Sequence, residues 1–273
     1  MIKIATLLLL GLTAVSAQDW ARAAVDKSPR HREWVNVKHD GRTVATFVAY
    51  PEVSTKAPVI LVIHEIFGMS DWVEEVADEF AEAGYIAVAP DLLSQMGPNG
   101  GRTKDIPSDR VGEKIRDLPP DQITADLNAA ADYGIKLPAS NGKLFVAGFC
   151  WGGGQSFRFA TNRPDLKAAF VFYGTPPPAA DMARIHAPVY GFFAGNDMRV
   201  DATIPTAQEQ MKAAGKKFEP VTYEGAGHGF MRAGEAPPPP ADAKENVKQM
   251  YEPNQKARAE SWERLKMIVK KSS

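Results

Sequence analysis

Two patterns of apolar residues follow each other along the chain. Short continuous runs rich in β-branched residues are typical of buried strands, and the predicted strands occupy residues 58–63, 85–89, 143–147, 167–173, 188–194 and 218–223. Apolar residues at helical spacing predict helices over residues 71–83, 121–137, 155–161, 203–214 and 254–270. In the last of these helices, four side chains are expected to face the core: Trp262, Leu265, Met267 and Ile268.

This order of elements predicts an α/β protein. Strands that alternate with helices form a mainly parallel, twisted sheet with helices on both faces. Residues 34–38 and 43–50 are also strand-like, and the short turn between them predicts an antiparallel N-terminal hairpin. No internal repeat or second domain is visible.

Two stretches do not fit the alternation of strands and helices. Residues 21–32 are polar and are expected to be loosely held. Residues 94–120 are rich in glycine and proline and form a long excursion after a strand end, where α/β enzymes build lids and substrate walls. A surface loop without a role is the other interpretation of this excursion.

The first 17 residues have the pattern of a secretory signal peptide. One positive charge at Lys3 precedes an apolar run over residues 4–12, and small residues follow at positions 15–17. The run is shorter than the roughly 20 residues that span a bilayer. We therefore expect export, to a periplasm or the medium, and a mature single domain of residues 18–273. An N-terminal core helix is the competing interpretation, although nothing periodic marks one.

Composition limits the partners and the cofactors. The formal net charge is −1 without a basic cluster, which argues against nucleic acid or an anionic membrane as partner. Cys150 is the sole cysteine, so no internal disulfide can form. The five histidines show no metal-ligand spacing, so no metal site is expected. The oligomeric state is open.

The segment around Cys150 carries the strongest chemical signal. An apolar run leads through Gly148-Phe149-Cys150-Trp151-Gly152 into a helical segment. A strand, a Gly-x-Cys-x-Gly turn and a helix form the nucleophile elbow of the α/β-hydrolases, with cysteine in place of serine. The other interpretation is a buried, inert cysteine in a glycine-rich turn.

Asp197 and His228 complete a possible catalytic triad. A cysteine nucleophile needs a base to remove its proton, and an acid on the far side of that base to orient it. The order Cys150, Asp197, His228 is the α/β-hydrolase order of nucleophile, acid and base. All three follow predicted strand ends, where reactive residues of parallel sheets collect. Taken singly, Asp197 could be a turn residue and His228 a capped loop histidine.

Four further residues fit an acyl-transfer site. The Trp151 N–H, directly after the nucleophile, and the Ile66 N–H, after an early strand, are the expected donors to an oxyanion. Glu65 follows a buried strand, where a carboxylate needs a partner, and Arg232 is the expected one. An ordinary salt bridge and a catalytic carboxylate are both compatible with this pair.

From about Val44 onward the chain resembles the dienelactone hydrolase family. Five motifs carry the resemblance: His64-Glu65-Ile66-Phe67-Gly68, Ala89-Pro90-Asp91-Leu92, Gly148-Phe149-Cys150-Trp151-Gly152-Gly153, Gly195-Asn196-Asp197 and Gly225-Ala226-Gly227-His228-Gly229-Phe230. The resemblance implies an α/β-hydrolase fold, a Cys150-His228-Asp197 triad, an oxyanion hole at Ile66 and Trp151, and no cofactor. It also implies that Glu65 helps to generate the thiolate.

The same resemblance implies how substrate is bound. Arg232 lies where the family binds a substrate carboxylate, and Phe67 and Gln95 complete the expected contact set. Gln95 stands where the best-known members have a second arginine. Those members are also typically cytoplasmic, whereas this chain carries the pattern of an export signal. Both departures argue against dienelactone itself as the substrate.

Taken together, these features predict an exported enzyme that hydrolyses a carboxylic ester or lactone through a thioester on Cys150. Two other functions are compatible with the sequence. A non-catalytic binding protein could keep the fold and use the 94–120 excursion for recognition. A thiol redox sensor is the second, but a single cysteine has no resolving partner.

Overall fold

An eight-stranded sheet forms the centre of the protein. The computed structural model describes residues 10–234 and 236–272. The strands are β1 (Arg32–His39), β2 (Arg42–Ala49), β3 (Ala57–Ile63), β4 (Ile86–Pro90), β5 (Ser140–Phe149), β6 (Leu166–Phe172), β7 (Val189–Ala194) and β8 (Phe218–Tyr223). Their spatial order is β1-β2-β4-β3-β5-β6-β7-β8. The predicted hairpin is confirmed, since β1 and β2 pair antiparallel, and β2 joins β4 antiparallel. The remaining pairs are parallel.

Helices cover both faces of this sheet, as predicted. They are α1 (Leu10–Lys27), α2 (Asp71–Glu82), α3 (Ser108–Arg116), α4 (Pro120–Lys136), α5 (Trp151–Asn162), α6 (Ala179–Met182), α7 (Met198–Asp201), α8 (Ile204–Ala213) and α9 (Glu245–Ser272). One apolar core lies between the sheet and the buried sides of α1, α2 and α9. A second core lies on the other face, under α3, α4, α5 and α8. The strands end together at one edge, which therefore gathers the loops after β3, β5, β7 and β8.

The segment that the sequence marked as loosely held is packed instead, so that expectation was wrong. Residues 21–27 belong to α1, in which Ala21 and Val25 are buried against the core. Arg22 reaches α2 and lies 3.3 Å from a carboxylate oxygen of Glu74. Polar residues dominate the segment, but a few apolar positions on one side of a helix are enough to dock it. The first nine residues of the predicted signal peptide lie outside the described residues.

The last helix is longer than its apolar pattern predicts. It begins at Glu245 and contains Pro253, so the expected start after this proline was wrong. Trp262 and Leu265 are buried as expected, but the Met267 side chain is 56% exposed. A proline lacks the N–H that a helix interior uses; here it lies against Gly225 in the loop after β8, where tertiary contact holds the extension in place.

The 94–120 excursion contains a helix and is anchored to the sheet edge. Val111 and Ile115 of α3 are buried in the second core. Asp91 lies just before the excursion. Its carboxylate accepts hydrogen bonds from the backbone N–H of Thr103, within the excursion, at 3.0 Å and from the Thr103 hydroxyl at 2.6 Å. The Thr103 hydroxyl oxygen in turn accepts from the Met69 N–H at 3.3 Å. The excursion is thereby joined to the loop after β3.

Candidate active site

Cys150 lies at a strained turn between β5 and α5. Its backbone angles are φ +56° and ψ −116°, a region that residues with a side chain rarely occupy. Helix α5 starts at the next residue, four positions earlier than its apolar spacing predicts. The turn aims the Cys150 side chain out of the sheet edge, as a nucleophile elbow does.

Two glycines let the backbone pass close to this turn. A β-carbon added to Gly148 would lie 1.9 Å from the Gly152 carbonyl oxygen. A β-carbon on Gly152 would lie 2.3 Å from the His64 carbonyl oxygen and 2.4 Å from that of Ile63. Both contacts of Gly152 are with backbone, so no side chain can move aside to relieve them.

We expect Gly152→Ala to destabilise the protein by about 3 kcal/mol, because overpacking against rigid backbone forces β3 and α5 apart. Urea unfolding of the wild type and the variant measures the difference. Gly112→Ala in α3 is the matched control, since its new methyl group would meet its nearest neighbour, the Ile66 side chain, at 3.6 Å. That control should leave stability unchanged or raise it by up to about 1 kcal/mol. Equal stability of both variants would contradict the close approach.

His228 joins Asp197 at the same edge. Its Nδ1–H donates to the Asp197 carboxylate at 2.5 Å, and its side chain also lies close to Cys150. Burial disfavours the charged imidazole, but the contacts with Cys150 and Asp197 outweigh burial and raise the pKa of His228. Asp197 is 8% exposed and caps α7, where its side chain accepts from the Val200 N–H. The three predicted triad residues are therefore in one connected array.

The loop that carries His228 is held from two sides. Asn196 donates from its side chain to the Gly225 carbonyl at 2.9 Å, and its backbone N–H donates to the Ala226 carbonyl at 2.9 Å. From α9, the Asn254 side chain accepts from the Gly227 N–H at 2.8 Å. These contacts fix the imidazole relative to β7 and β8.

Glu65 and Arg232 are also brought together beside this array. Glu65 Oε2 lies 3.3 Å from Arg232 Nε, and Glu65 is 2% exposed. Its second oxygen, Oε1, has no hydrogen-bond partner among the described residues. Burial raises the pKa of Glu65, although Arg232 and His228 act in the opposite direction. The carboxyl group therefore accepts a proton more readily than an exposed glutamate does.

The two backbone donors expected at an oxyanion hole are the N–H groups of Ile66, in the loop after β3, and of Trp151, directly after Cys150. The Ile66 N–H donates no hydrogen bond within the described part of the chain. The Trp151 N–H belongs to the first residue of α5, where no intrahelical partner exists. The close contact of Gly152 with the His64 carbonyl places the start of α5 against the chain just before Ile66.

Comparison with known proteins identifies the relatives of this arrangement. The Dienelactone hydrolase family profile matches residues 44–273. The chain belongs to the dienelactone hydrolase family. A Salmonella typhi protein that carries the name of a carboxymethylenebutenolidase is 32% identical over 208 residues, which cover 71% of this chain and 76% of that protein. A Methylorubrum extorquens protein of the same name is 31% identical over 240 residues, which cover 84% of this chain and 81% of that protein.

A solved structure gives the fold. The dienelactone hydrolase of Anabaena variabilis superimposes with a TM-score of 0.61 at 18% identity, covering 86% of this chain and 97% of that protein. The sheet therefore has the α/β-hydrolase fold, as predicted. With the family match, this makes the protein a dienelactone hydrolase-like enzyme that acts on ester or lactone bonds.

The predicted substrate contacts of this dienelactone hydrolase family member divide into two groups. Phe67 is 45% exposed, and the Arg232 guanidinium lies over its ring at 5.3 Å, so these two side chains share one surface. Gln95 is exposed, and its side-chain oxygen accepts from the Thr43 N–H of β2 at 3.1 Å. That bond ties Gln95 to the hairpin, and among the described residues no hydrogen bond or ion pair joins it to the Glu65–Arg232 pair.

Tyr173 is a member of the site that the sequence analysis did not mark. It follows β6, is fully buried, and packs edge-on against His228 with ring centres 5.0 Å apart. Burial, with the nearby charge of Glu65, raises the pKa of Tyr173 well above its usual value, so the hydroxyl stays protonated. The end of an apolar strand was a usable signal, since Cys150 occupies the equivalent position directly after β5.

The described residues offer neither a cluster of metal ligands nor a helix that could cross a membrane. Within residues 10–234 and 236–272, no group of three or more His, Cys, Asp or Glu side chains is arranged to hold a metal ion. Across the same residues, the helices lack the length and apolar character that a membrane crossing requires.

Proposed function

We propose that this hydrolase cleaves a carboxylic ester or lactone through a thioester on Cys150. The observation that carries the proposal is the array in which His228 contacts Cys150 on one side and Asp197 on the other. The Cys150 sulfur attacks the carbonyl carbon, and His228 passes the thiol proton to the leaving alkoxide. Water then attacks the thioester, and the departing thiolate is reprotonated through His228.

In this proposal, the N–H groups of Ile66 and Trp151 bind the oxyanion of each tetrahedral intermediate. Both groups are free of backbone partners in the described chain, and the Trp151 N–H begins a helix, whose dipole favours negative charge. Such donors act on charge that develops in the transition state, so they accelerate the reaction rather than tighten substrate binding.

Glu65 and Arg232 prepare the site for substrate in the same proposal. Burial raises the pKa of Glu65, which suits it to accept the thiol proton of Cys150 when substrate binds and to pass that proton on to His228, which delivers it to the leaving alkoxide. Arg232 binds an anionic group of the substrate next to the exposed ring of Phe67. A substrate that combines an ester or lactone with a nearby carboxylate fits these residues.

Hydrolysis of a panel of lactones and esters, with and without a carboxylate, tests both the function and the role of Arg232. We expect Arg232→Gln to lower kcat/KM about 10- to 100-fold for the carboxylate-bearing members, since a charge-assisted hydrogen bond is lost. Neutral members should lose much less. Arg232→Lys is the matched control that retains the positive charge beside Glu65. An equal loss for charged and neutral substrates would show that Arg232 supports the loop only.

We also propose that the chain is exported and cleaved after Ala17. Support comes from the signal pattern of residues 1–17. Helix α1 crosses the proposed cleavage site, and Ala21 and Val25, which dock it on the core, lie on the side that the mature protein would keep. Expression of the full chain in a bacterium, followed by periplasmic fractionation, should yield a protein with Gln18 at its N-terminus. A cytoplasmic product that retains Met1 would overturn this proposal.

A further inference from the structure

His64 is a fully buried histidine whose two ring nitrogens both have backbone partners. Its Nδ1–H donates to the Glu65 carbonyl oxygen at 2.8 Å. Its Nε2 accepts from the Leu92 N–H at 3.4 Å. Since a carbonyl can only accept and an amide N–H can only donate, this pair of bonds is made by one neutral tautomer.

The same ring also contacts the elbow. It stacks on the Trp151 indole with ring centres 5.6 Å apart and an interplanar angle of 15°. The backbone of His64 meets Gly152 directly, because a β-carbon on Gly152 would lie 2.3 Å from the His64 carbonyl oxygen. One residue therefore contacts both segments that carry the proposed oxyanion donors.

The first contact acts on the Ile66 donor through the peptide bond. The Glu65 carbonyl and the Ile66 N–H belong to the same planar peptide unit, so fixing one direction fixes the other. The bond from His64, together with the one that the same carbonyl accepts from the Gly68 N–H at 3.1 Å, thus sets the direction of the Ile66 N–H. The stacking contact acts in the same way on the residue whose N–H is the second donor.

We propose that His64 is a positioning residue that keeps the Ile66 and Trp151 N–H groups pointed at the oxyanion. This inference rests on the proposed thioester mechanism. It assigns to His64 an effect on the transition state without contact to the substrate, and it separates the role of His64 from that of Glu65 beside it.

The surroundings of the ring support a permanently neutral histidine. Burial lowers the pKa of His64, although the charge of Asp91 and the bond to the Glu65 carbonyl oppose this effect. Asp91 is itself fully buried and accepts from the Leu93 N–H and from Thr103. The Leu92 N–H, between Asp91 and Leu93 in sequence, is thereby held at the position where it can meet the ring.

Two reactions of the same sulfur test this inference. Alkylation of Cys150 by iodoacetamide develops no oxyanion, whereas acylation by p-nitrophenyl acetate does. In His64→Leu, we expect the acylation rate to fall about 100-fold, as for a donor displaced from its working position, while the alkylation rate stays unchanged. His64→Asn keeps a donor near the Nδ1 position and should recover most of the acylation rate.

His39→Leu is the matched control, because His39 is also largely buried and bonds Asp126 at 2.7 Å. It should change neither rate. If acylation and alkylation fall together in His64→Leu, or if His64→Asn is as slow as His64→Leu, the inference is overturned. Should His64→Leu fail to fold, the same ratio of rates is measured on His64→Phe, which keeps a flat ring but no donor. Wild-type protein that is alkylated but never acylated would refute the thioester mechanism itself, and this inference with it.

Discussion

Replacing Cys150 by alanine is expected to reduce ester hydrolysis by about 10⁴- to 10⁶-fold, the scale seen when an activated nucleophile is removed. The sulfur is the only nucleophilic atom that the strained turn presents to His228 in this proposal. Alanine keeps the β-carbon, so the backbone at φ +56° experiences no new clash and the fold should persist. Initial rates on an activated ester measure the effect, and thermal unfolding checks the fold.

A direct observation of the acylated sulfur strengthens this experiment. Intact mass spectrometry of the wild type during turnover should show one acyl group, located by peptide mapping on Cys150, and the alanine variant should show none. Full activity of Cys150→Ala would end the thioester mechanism. Wild-type protein that binds esters without acylation or turnover would favour the binding-protein interpretation, and sulfenic acid on Cys150 after peroxide treatment would favour a redox sensor.

Asp197→Asn is expected to lower kcat by about 10⁴-fold, because an amide at this position favours the wrong imidazole tautomer. In the wild type, the Nδ1–H of His228 donates to Asp197, which leaves the other nitrogen to exchange a proton with the thiol. An asparagine can present its N–H₂ to Nδ1 instead, and the proton then occupies the nitrogen that should act as a base. Steady-state kinetics of the pure variant measure the loss.

The pH profile gives a second readout of the same substitution. Contacts with Cys150 and with the Asp197 carboxylate raise the pKa of His228 against the effect of burial. The ring therefore stays protonated to a higher pH than an ordinary histidine, which places the acidic limb of kcat/KM above about pH 6.5. Without the carboxylate, His228 loses its proton at lower pH, so the residual activity of Asp197→Asn should have an acidic limb at lower pH.

Asp201→Asn provides the control for these two readouts. Asp201 lies in the same short helix, α7, and carries the same charge near Asp197, but it makes no contact with His228. We expect its kcat and pH profile to match the wild type. If Asp197→Asn behaved like Asp201→Asn, Asp197 would be a capping residue of α7 and another group would have to orient His228.

Much of this site was readable from local sequence, because its residues occupy ends of predictable strands. The apolar runs before Cys150 and Asp197 fix where β5 and β7 end, and parallel strands bring their carboxyl ends to one edge. The Gly-x-Cys-x-Gly segment adds the close approach, since Gly148 and Gly152 have no space for a β-carbon. Order along the chain then paired Asp197 with His228, as their 2.5 Å contact shows.

Other features depend on contacts between distant segments, which no local pattern encodes. Residues 21–27 read as polar, yet Ala21 and Val25 dock on the core. The extension of α9 through Pro253 depends on the loop after β8, and that extension supplies the Asn254 contact to the His228 loop. In the sequence, Tyr173 and His64 are simply polar residues at the ends of buried strands. Their burial and their contacts, which the sequence does not show, are what indicate a part in the site.

The sequence by itself determined the fold class, the position of the proposed nucleophile and the chain order of its proposed partners, because hydrophobic periodicity and turn geometry are local properties. Only the tertiary structure determined the protonation and the hydrogen-bond partners of the side chains near Cys150. Burial raises the pKa of Glu65, a neutral His64 meets both the Glu65 carbonyl and the Trp151 ring, and Gln95 is tied to Thr43. Each of these depends on which segments exclude water from a group and which supply its partners, and those segments are far apart along the chain.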